Sequence, residues 1–341
     1  MIEIRPANID VDGPALVELL RAYLTPRSDA RRLDWLYRQN PHGPAAAWIA
    51  QDAGTGSIVG SGAVIPRRMS VAGRHQVVGV MADFWVHPGY RTLGPALKLQ
   101  RACIEGAARL GLGFFDLPQS SMPAVYRRLG VPARPSLKRL AKPLRVDGKL
   151  GGLLHSMMLG RGLAVPFNLG LAWHDHAHAG SMARQVSRSE ACFDEEFTRL
   201  AEACSSRYAL CGWRDADYLQ WRYGSHYYLQ HHVYALRSPV GLQAYLVVVE
   251  SEQQAEILDL FGPPDRGLML DLLLGAADEL RHRHQTLYIT VSEAHPLLPV
   301  LRAAGFVERS SQPLVAQRFD ADGRPLPEAQ PWALVYGDID F

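Results

Sequence analysis

The chain has 341 residues, of which 48% are hydrophobic and 21% are charged, and its 36 basic and 34 acidic residues give a net charge of +2. These values are typical of a globular protein of about two domains, and the balanced charge argues against a nucleic-acid partner. Four cysteines form no CxxC pair and the first residues contain no apolar signal core, so we expect free thiols and a cytoplasmic location.

The first part of the chain is predicted to alternate between strands and helices. In order, the patterns predict a strand (2–5), two amphipathic helices (14–23 and 31–39) and three strands (46–51, 58–66 and 77–86). Beyond them, a helix to about residue 110, a buried strand at 114–117 and a short helix at 120–129 complete the first unit.

The strand at residues 77–86 leads into a loop and the first turn of a helix, an arrangement that can bind an anion. It ends at His87-Pro88-Gly89, and a small-residue loop at 91–96 precedes the helix. The first turn of a helix offers unpaired N–H groups and the positive end of its dipole, and glycine lets a phosphate approach closely. This layout predicts a phosphate cradle, although Pro95 has no N–H to donate.

The loop Arg91-Thr92-Leu93-Gly94-Pro95-Ala96 fits the pattern Arg/Gln-x-x-Gly-x-Gly/Ala. It thereby resembles the GNAT superfamily of acyl-CoA-dependent N-acyltransferases, in which this loop holds the coenzyme A pyrophosphate and the preceding strand pairs with the pantetheine arm. The resemblance implies acetyl-CoA or another acyl-CoA as co-substrate, and no metal. The binding positions that it implies are Phe84, Trp85, Val86, Arg91, Thr92, Leu93, Gly94 and Ala96.

A second segment, Ala124-Val125-Tyr126-Arg127-Arg128-Leu129-Gly130, resembles the family's Ala-Leu-Tyr-Glu-Lys-Leu-Gly segment. The resemblance implies that Tyr126 protonates the departing coenzyme A thiolate; the alternative is an aromatic residue of the core. The acceptor amine must also lose a proton. Asp83, His87 or a water chain could accept it, and Asp83 could equally be a solvated residue at a strand end.

The middle of the chain gives weaker signals. Residues 150–173 are rich in glycine and leucine but interrupted by charge and proline, so we expect a helix packed between the two halves or lining the acceptor cleft. Interfacial membrane contact is the alternative, without stable membrane insertion. The run His174-Asp175-His176-Ala177-His178 is expected to be a polar loop, because no partner cluster has metal-ligand spacing.

The second half repeats the order of elements in the first. Trp221 and Tyr223 match Trp35 and Tyr37, and the segment near residue 300 resembles the segment around Tyr126.

The second unit lacks the residues that the resemblance implies for phosphate binding and proton donation. Its loop at residues 262–267 contains two prolines and Asp265, and Leu301 stands where Tyr126 stands in the first unit. We therefore predict cofactor binding and catalysis in the first unit, with the second completing the acceptor cleft.

The sequence thus predicts an α/β (α+β) protein with two GNAT-like domains, each a mixed, mostly antiparallel sheet flanked by helices, at residues 1–146 and 186–341 with a connecting segment at 147–185. The implied reaction moves an acyl group to an amine of a small molecule or amino sugar, in a monomer or homodimer. Two alternatives stay open. One is a FemAB-like aminoacyl-tRNA-dependent transferase using the basic segment 134–145, and the other is a non-catalytic acyl-CoA-binding protein.

Overall fold

The computed structural model describes residues 1–71, 73–90, 93–111, 113–118, 122–131, 133–319, 325–326 and 332–339. The strands are β1 (Ile2–Pro6), β2 (Ala46–Asp52), β3 (Ile58–Val71), β4 (Arg74–Val86), β5 (Gly113–Asp116), β6 (Ala133–Pro143), β7 (Val186–Glu190), β8 (Leu210–Gly212), β9 (His231–Ser238), β10 (Gly241–Glu250), β11 (Gln254–Phe261), β12 (Thr286–Ser292), β13 (Val307–Phe319), β14 (Pro325–Leu326) and β15 (Trp332–Ala333). The helices are α1 (Ile9–Tyr23), α2 (Ala30–Tyr37), α3 (Leu93–Leu110), α4 (Met122–Arg128), α5 (Asp147–Leu153), α6 (Met157–His178), α7 (Glu195–Cys204), α8 (Ala216–Leu219), α9 (Arg266–Arg281) and α10 (Leu298–Ala303).

One sheet runs through both halves of the chain. Its main path among the described residues is β1-β2-β3-β4-β5-β13-β6-β12-β11-β10-β9-β7, and most neighbours are antiparallel. Strand β6 lies between β13 and β12, whereas β13 also pairs with β5. The last strand before residue 146 therefore lies among strands of the second half, so the predicted units are interleaved in space.

Three apolar cores hold helices against this sheet. Because side chains alternate along a strand, Val64 of β3 faces a core with α3 and α4, and its neighbour Ile65 faces the opposite core. That opposite core contains both Trp35 and Trp221, one from each half of the chain. Helices α9 and α10 cover the other part of the sheet.

The segment after β6 differs from the prediction. Instead of packing between the halves, α6 lies on the outer surface with much of its length exposed, and its last turns line a surface cavity beside α9. The expected polar loop at residues 174–178 is also wrong, because these residues form the last turns of α6. The helix continues there because Asp175 is drawn into a buried ion pair with Lys142 (2.7 Å) and a second with Arg281.

Neither a membrane-spanning helix nor a metal cluster is found in the described part of the chain. None of its helices is both long and apolar enough to cross a bilayer. No group of three or more His, Cys, Asp or Glu side chains there could hold a metal ion.

Candidate active site

A cavity opens where strands β4 and β5 separate. The two strands are parallel neighbours, and in the described residues they pair only at Gly79 with Phe114 and at Val80 with Phe115. Beyond that point β4 continues to Val86, whereas β5 ends at Asp116. The cavity measures about 390 Å³ and is lined by Leu24, Thr25, Arg32, Met81, Ala82, Asp83, Phe84, Asp116, Leu117, Met122, Tyr227, Tyr228 and Ile339. Both halves of the chain therefore contribute to its wall.

A β-bulge in β4 lies at the edge of this cavity. Opposite β3, the pairing shifts between Ser61 with Trp85 and Ala63 with Ala82, so β4 carries one extra residue. Asp83 has φ of 51°, a conformation that residues other than glycine seldom adopt. The Ser61 hydroxyl donates to the Asp83 carbonyl oxygen at 3.1 Å. The bulge interrupts regular pairing at the residues that line the cavity.

The Asp83 carboxylate is fully engaged by its neighbours. Arg32 of α2 donates to both carboxylate oxygens at 2.8 and 2.9 Å, and the Tyr37 hydroxyl donates at 2.9 Å. Although burial opposes its charge, the pKa of Arg32 is raised because the carboxylate holds the guanidinium in its charged form. This ion pair fastens α2 to the bulge.

An equivalent arrangement recurs in the second half. Asp259 on β11 accepts hydrogen bonds from Arg214 at 2.8 Å and from Tyr223 at 3.4 Å. Tyr223 is the residue that matches Tyr37 in the sequence repeat. A buried Arg–Asp–Tyr cluster is therefore common to both units. It is present even in the second unit, where no cofactor-binding loop is predicted.

Sequence analysis missed Asp116, the carboxyl group at the end of β5. Its side chain lines the cavity and is 9% exposed. The Tyr126 hydroxyl donates to Asp116 Oδ2 at 2.6 Å and accepts from Gln100 Nε2 at 2.8 Å. Burial raises the pKa of Asp116 to about 7, against the opposing effect of the Tyr126 hydrogen bond. The available signal was an aspartate ending the apolar run Phe114-Phe115.

Tyr126 itself lies behind Asp116. Its side chain is fully buried and does not belong to the described lining of the cavity. Burial, reinforced by the Asp116 carboxyl group, raises the pKa of Tyr126 well above its ordinary value. The hydroxyl therefore touches Asp116 and Gln100, and the role predicted for it as an acid toward a thiolate stays a prediction.

The described first turn of α3 leaves room around Gly94. Gly94 is exposed, with open space around the position of a Cβ atom, and Pro95 lies in the first turn, where its missing N–H is tolerated. That turn contains no acidic residue. Arg91 and Thr92 lie outside the described residues, and of Leu93 only the backbone position is described.

The matching helix of the second half is closed. Asp265 caps α9 by accepting a hydrogen bond from the Leu268 N–H at 2.8 Å. A carboxylate already occupies the position where a phosphate would sit, and its charge would repel one. The asymmetry between α3 and α9 agrees with the predicted erosion of the second unit.

The other predicted binding residues lie on β4 and in the first turn of α3. Phe84 lines the cavity. Trp85 is buried and stacks on Tyr23 with ring centroids 4.6 Å apart. Val86 is buried in the core beneath α3, and Ala96, in the first turn of α3, is partly buried. Of these residues, Phe84 lines the cavity, whereas Trp85, Val86 and Ala96 lie outside its described lining.

Comparisons with known proteins identify the fold. No protein-family model matches the sequence, and no curated protein shows significant similarity to it. A GCN5-related N-acetyltransferase from Anabaena variabilis ATCC 29413 has a TM-score of 0.66 at 12% identity, covering 93% of this chain and 72% of its own. A tandem GNAT protein from the clavulanic acid biosynthesis pathway has a TM-score of 0.56 at 15% identity, with 93% and 98% coverage. N-myristoyltransferase from Saccharomyces cerevisiae with bound myristoyl-CoA has a TM-score of 0.55 at 11% identity, with 92% and 78% coverage.

These likenesses confirm the predicted fold class, a tandem arrangement of GNAT-like units with a mostly antiparallel sheet flanked by helices.

Proposed function

We propose that this protein is an acyl-CoA-dependent N-acyltransferase whose acyl-CoA binds in the first unit. The observation that carries the proposal is the separation of β4 from β5, which leaves a cavity lined by Asp83 and Phe84 on the strand that leads to α3. The pyrophosphate would lie at Gly94 and Ala96, and the pantetheine arm would follow β4 from Val86 toward Phe84. The thioester would then reach the cavity.

The reaction needs three events in that cavity. The acceptor nitrogen attacks the thioester carbonyl and forms a C–N bond, the C–S bond breaks, and the amine gives up a proton while the thiolate takes one. Backbone N–H groups of β4 would polarise the carbonyl, a contribution that is usually large in acyl transfer. Strand β4 has no described β5 partner beyond Val80, so its backbone borders the gap on that side.

We assign the proton acceptor to Asp116. It lines the cavity, and a pKa of about 7 leaves it able to take a proton from the amine near neutral pH. Both oxygens of Asp83 already accept hydrogen bonds from Arg32, and the equivalent cluster exists around Asp259. We therefore assign Asp83 a structural role and Tyr126 a positioning role through Asp116.

The acceptor is proposed to be a small-molecule amine. Tyr227 and Tyr228, from the second half, contribute an aromatic wall to the cavity, and Arg27 lies over the Tyr228 ring at 4.9 Å. A cavity of about 390 Å³ suits a small molecule rather than a folded protein. The tyrosine rings would pack against a sugar or aryl group.

The structure argues against a tRNA-binding groove formed by the basic segment 134–145. Among the basic residues of the segment 134–145, Lys138, Lys142 and Arg145 each pair with a carboxylate of this chain. Arg139 lies over the Tyr288 ring at 4.4 Å. Side chains engaged in this way do not form an open basic groove for a phosphate backbone.

The experiment is a thiol-release assay with acetyl-CoA and a longer acyl-CoA, each mixed with a panel of amino sugars and small amines. The proposal expects release of free coenzyme A that requires both the protein and one class of amine. Tight acyl-CoA binding without release for any amine would support the binding-protein alternative instead.

A further inference from the structure

Helix α6 presents a broad apolar surface to solvent. Seven of its large apolar side chains are more than half exposed: Met158, Leu159, Leu163, Val165, Phe167, Leu169 and Trp173. We call this set the α6 apolar face. A contiguous surface of this kind on a folded protein marks an interaction site.

The α6 apolar face is unusually wide. At about 100° per residue, its seven side chains span roughly 200° of the helix circumference. The remaining positions in that sector are glycine, proline and alanine, apart from His174 and His176 in the last turn. A partner helix covers a narrower stripe, as in a coiled-coil seam, whereas a lipid interface covers about half of a helix lying in its plane.

The opposite side of α6 is held firmly in place. A Cβ at Gly160 would lie 2.3 Å from the backbone of Gly151 in α5, so the two helices cross in close contact. Asn168 Oδ1 accepts a hydrogen bond from the Val146 N–H at 2.9 Å. Asp175 is fixed by its buried ion pairs. The helix is thus anchored by one narrow stripe and keeps its apolar face outward.

The segment that carries this face contributes positive charge. Residues 147–185 contain two acidic residues, Asp147 and Asp175. Both are buried, and both pair with basic side chains of this chain. Arg184 is exposed but lines a cavity with the exposed Asp278 and Glu279 of α9, which offset its charge. Arg161, in the first half of α6, is exposed too, and its positive charge favours an anionic surface at that end of the helix.

We propose that the α6 apolar face docks onto an anionic lipid bilayer. The leucines, Phe167 and Trp173 would enter the boundary between headgroups and acyl chains, and Arg161 would reach the headgroup phosphates. The helix lies in the plane of the membrane and does not cross it. This inference is independent of the acyl-transfer reaction.

Trp173 supplies a site-specific probe. It is 73% exposed, whereas each of the six other tryptophans is at most 9% exposed. Full-length protein is mixed with phosphatidylcholine vesicles that contain or lack phosphatidylglycerol, with brominated acyl chains as quenchers. We expect quenching in the anionic vesicles and at least tenfold weaker binding to the neutral ones. The Trp173→Phe variant, which still binds in vesicle sedimentation, should lose the quenching.

Paired variants locate the contact. Leu163→Glu combined with Phe167→Glu should weaken vesicle binding at least about 30-fold, because two apolar anchors are lost. Val240→Glu changes a residue that is 87% exposed, outside α6, and should have no effect. Absence of quenching in both vesicle types would overturn the proposal. So would a dimer in light scattering that the double variant dissociates, because the face would then join two copies of the chain.

Discussion

Trp35 and Trp221 exchange hydrogen bonds across the core between the two halves of the chain. The indole N–H of each donates to the backbone carbonyl oxygen of the other at 2.9 Å, and the two rings stack with centroids 4.9 Å apart. A reciprocal contact of this kind indicates local two-fold symmetry between matching residues of the repeat.

This symmetry makes the differences between the two units informative. Tyr37 and Tyr223 both donate to buried aspartates, so that cluster is shared. The described first turn of α3 contains no acidic residue and leaves Gly94 exposed, whereas Asp265 caps α9 in the other unit. Features that belong to one unit alone are the ones that we connect with the reaction.

The first prediction concerns Asp116. Asp116→Asn keeps an acceptor for the Tyr126 hydroxyl but removes the base, so kcat should fall about 100-fold or more while acyl-CoA affinity is retained. In the unaltered protein, kcat/KM should rise with pH through about 7 as the carboxyl group ionises. Glu105→Gln, which changes an exposed carboxylate of α3, is the control. A full rate and an unchanged pH profile in Asp116→Asn would remove Asp116 from the reaction.

The second prediction concerns Tyr126. Its hydrogen bond lowers the pKa of Asp116, so Tyr126→Phe should raise that pKa and move the rise in kcat/KM to higher pH. The variant should recover most of its activity under alkaline conditions. A loss of kcat that is equal at every pH, with an unmoved profile, would instead indicate that Tyr126 donates its proton directly to the thiolate.

The third prediction links Asp116 to stability. Its pKa in the folded protein, about 7, lies above the ordinary value of 3.8. Between these values the folded state binds more protons than the unfolded state, so this group's contribution to the free energy of unfolding falls as pH rises through that window. Between pH 5 and 8 the loss should be about 3 kcal/mol. Urea unfolding should show it as a difference between the unaltered protein and Asp116→Asn; parallel pH dependences would contradict it.

The fourth prediction compares two neighbouring arginines of α2. Arg32→Ala leaves the buried Asp83 carboxylate without its cation and should lower the free energy of unfolding by about 3–5 kcal/mol. Arg31 pairs with Asp29 at the surface, so Arg31→Ala should cost less than about 1 kcal/mol. Equal urea midpoints for the two variants would contradict a structural role for the Arg32–Asp83 pair.

The role of Asp83 can be tested in the same series. Under conditions where Asp83→Asn is folded, we expect it to retain turnover, because we assign Asp83 to the architecture rather than to proton transfer. Loss of turnover with native stability would restore Asp83 as the general base.

Periodicity and local motifs were sufficient to predict much of the fold. The predicted strands at 46–51, 58–66 and 77–86 correspond to β2, β3 and β4, and the matched tryptophans correctly indicated the repeat. Insertion of β13 between β5 and β6 was missed, because the partner strands are far apart in sequence and their pairing depends on tertiary packing. The exposed position of α6 was missed for a related reason: an apolar run predicts burial unless its surroundings are known.

The site was harder to predict than the fold. The glycine loop and the strand before it can be recognised from the sequence. The pKa of Asp116, in contrast, is set by burial and by the Tyr126 hydrogen bond, which exist only in the folded protein. The ion pair of Asp83 joins residues that are 51 positions apart. Such properties arise from the folded environment, which local sequence does not encode.

The central claim, that acyl-CoA binds in the first unit, is tested most directly by calorimetric titration with acetyl-CoA and a longer acyl-CoA. Gly94 and Gly267 are the second residues of α3 and α9, and neither is crowded around its Cβ position. We predict that Gly94→Glu weakens binding at least about 100-fold, because a carboxylate then opposes the pyrophosphate, whereas Gly267→Glu binds like the unaltered protein. Binding that survives Gly94→Glu, or that is lost in Gly267→Glu, would contradict the account.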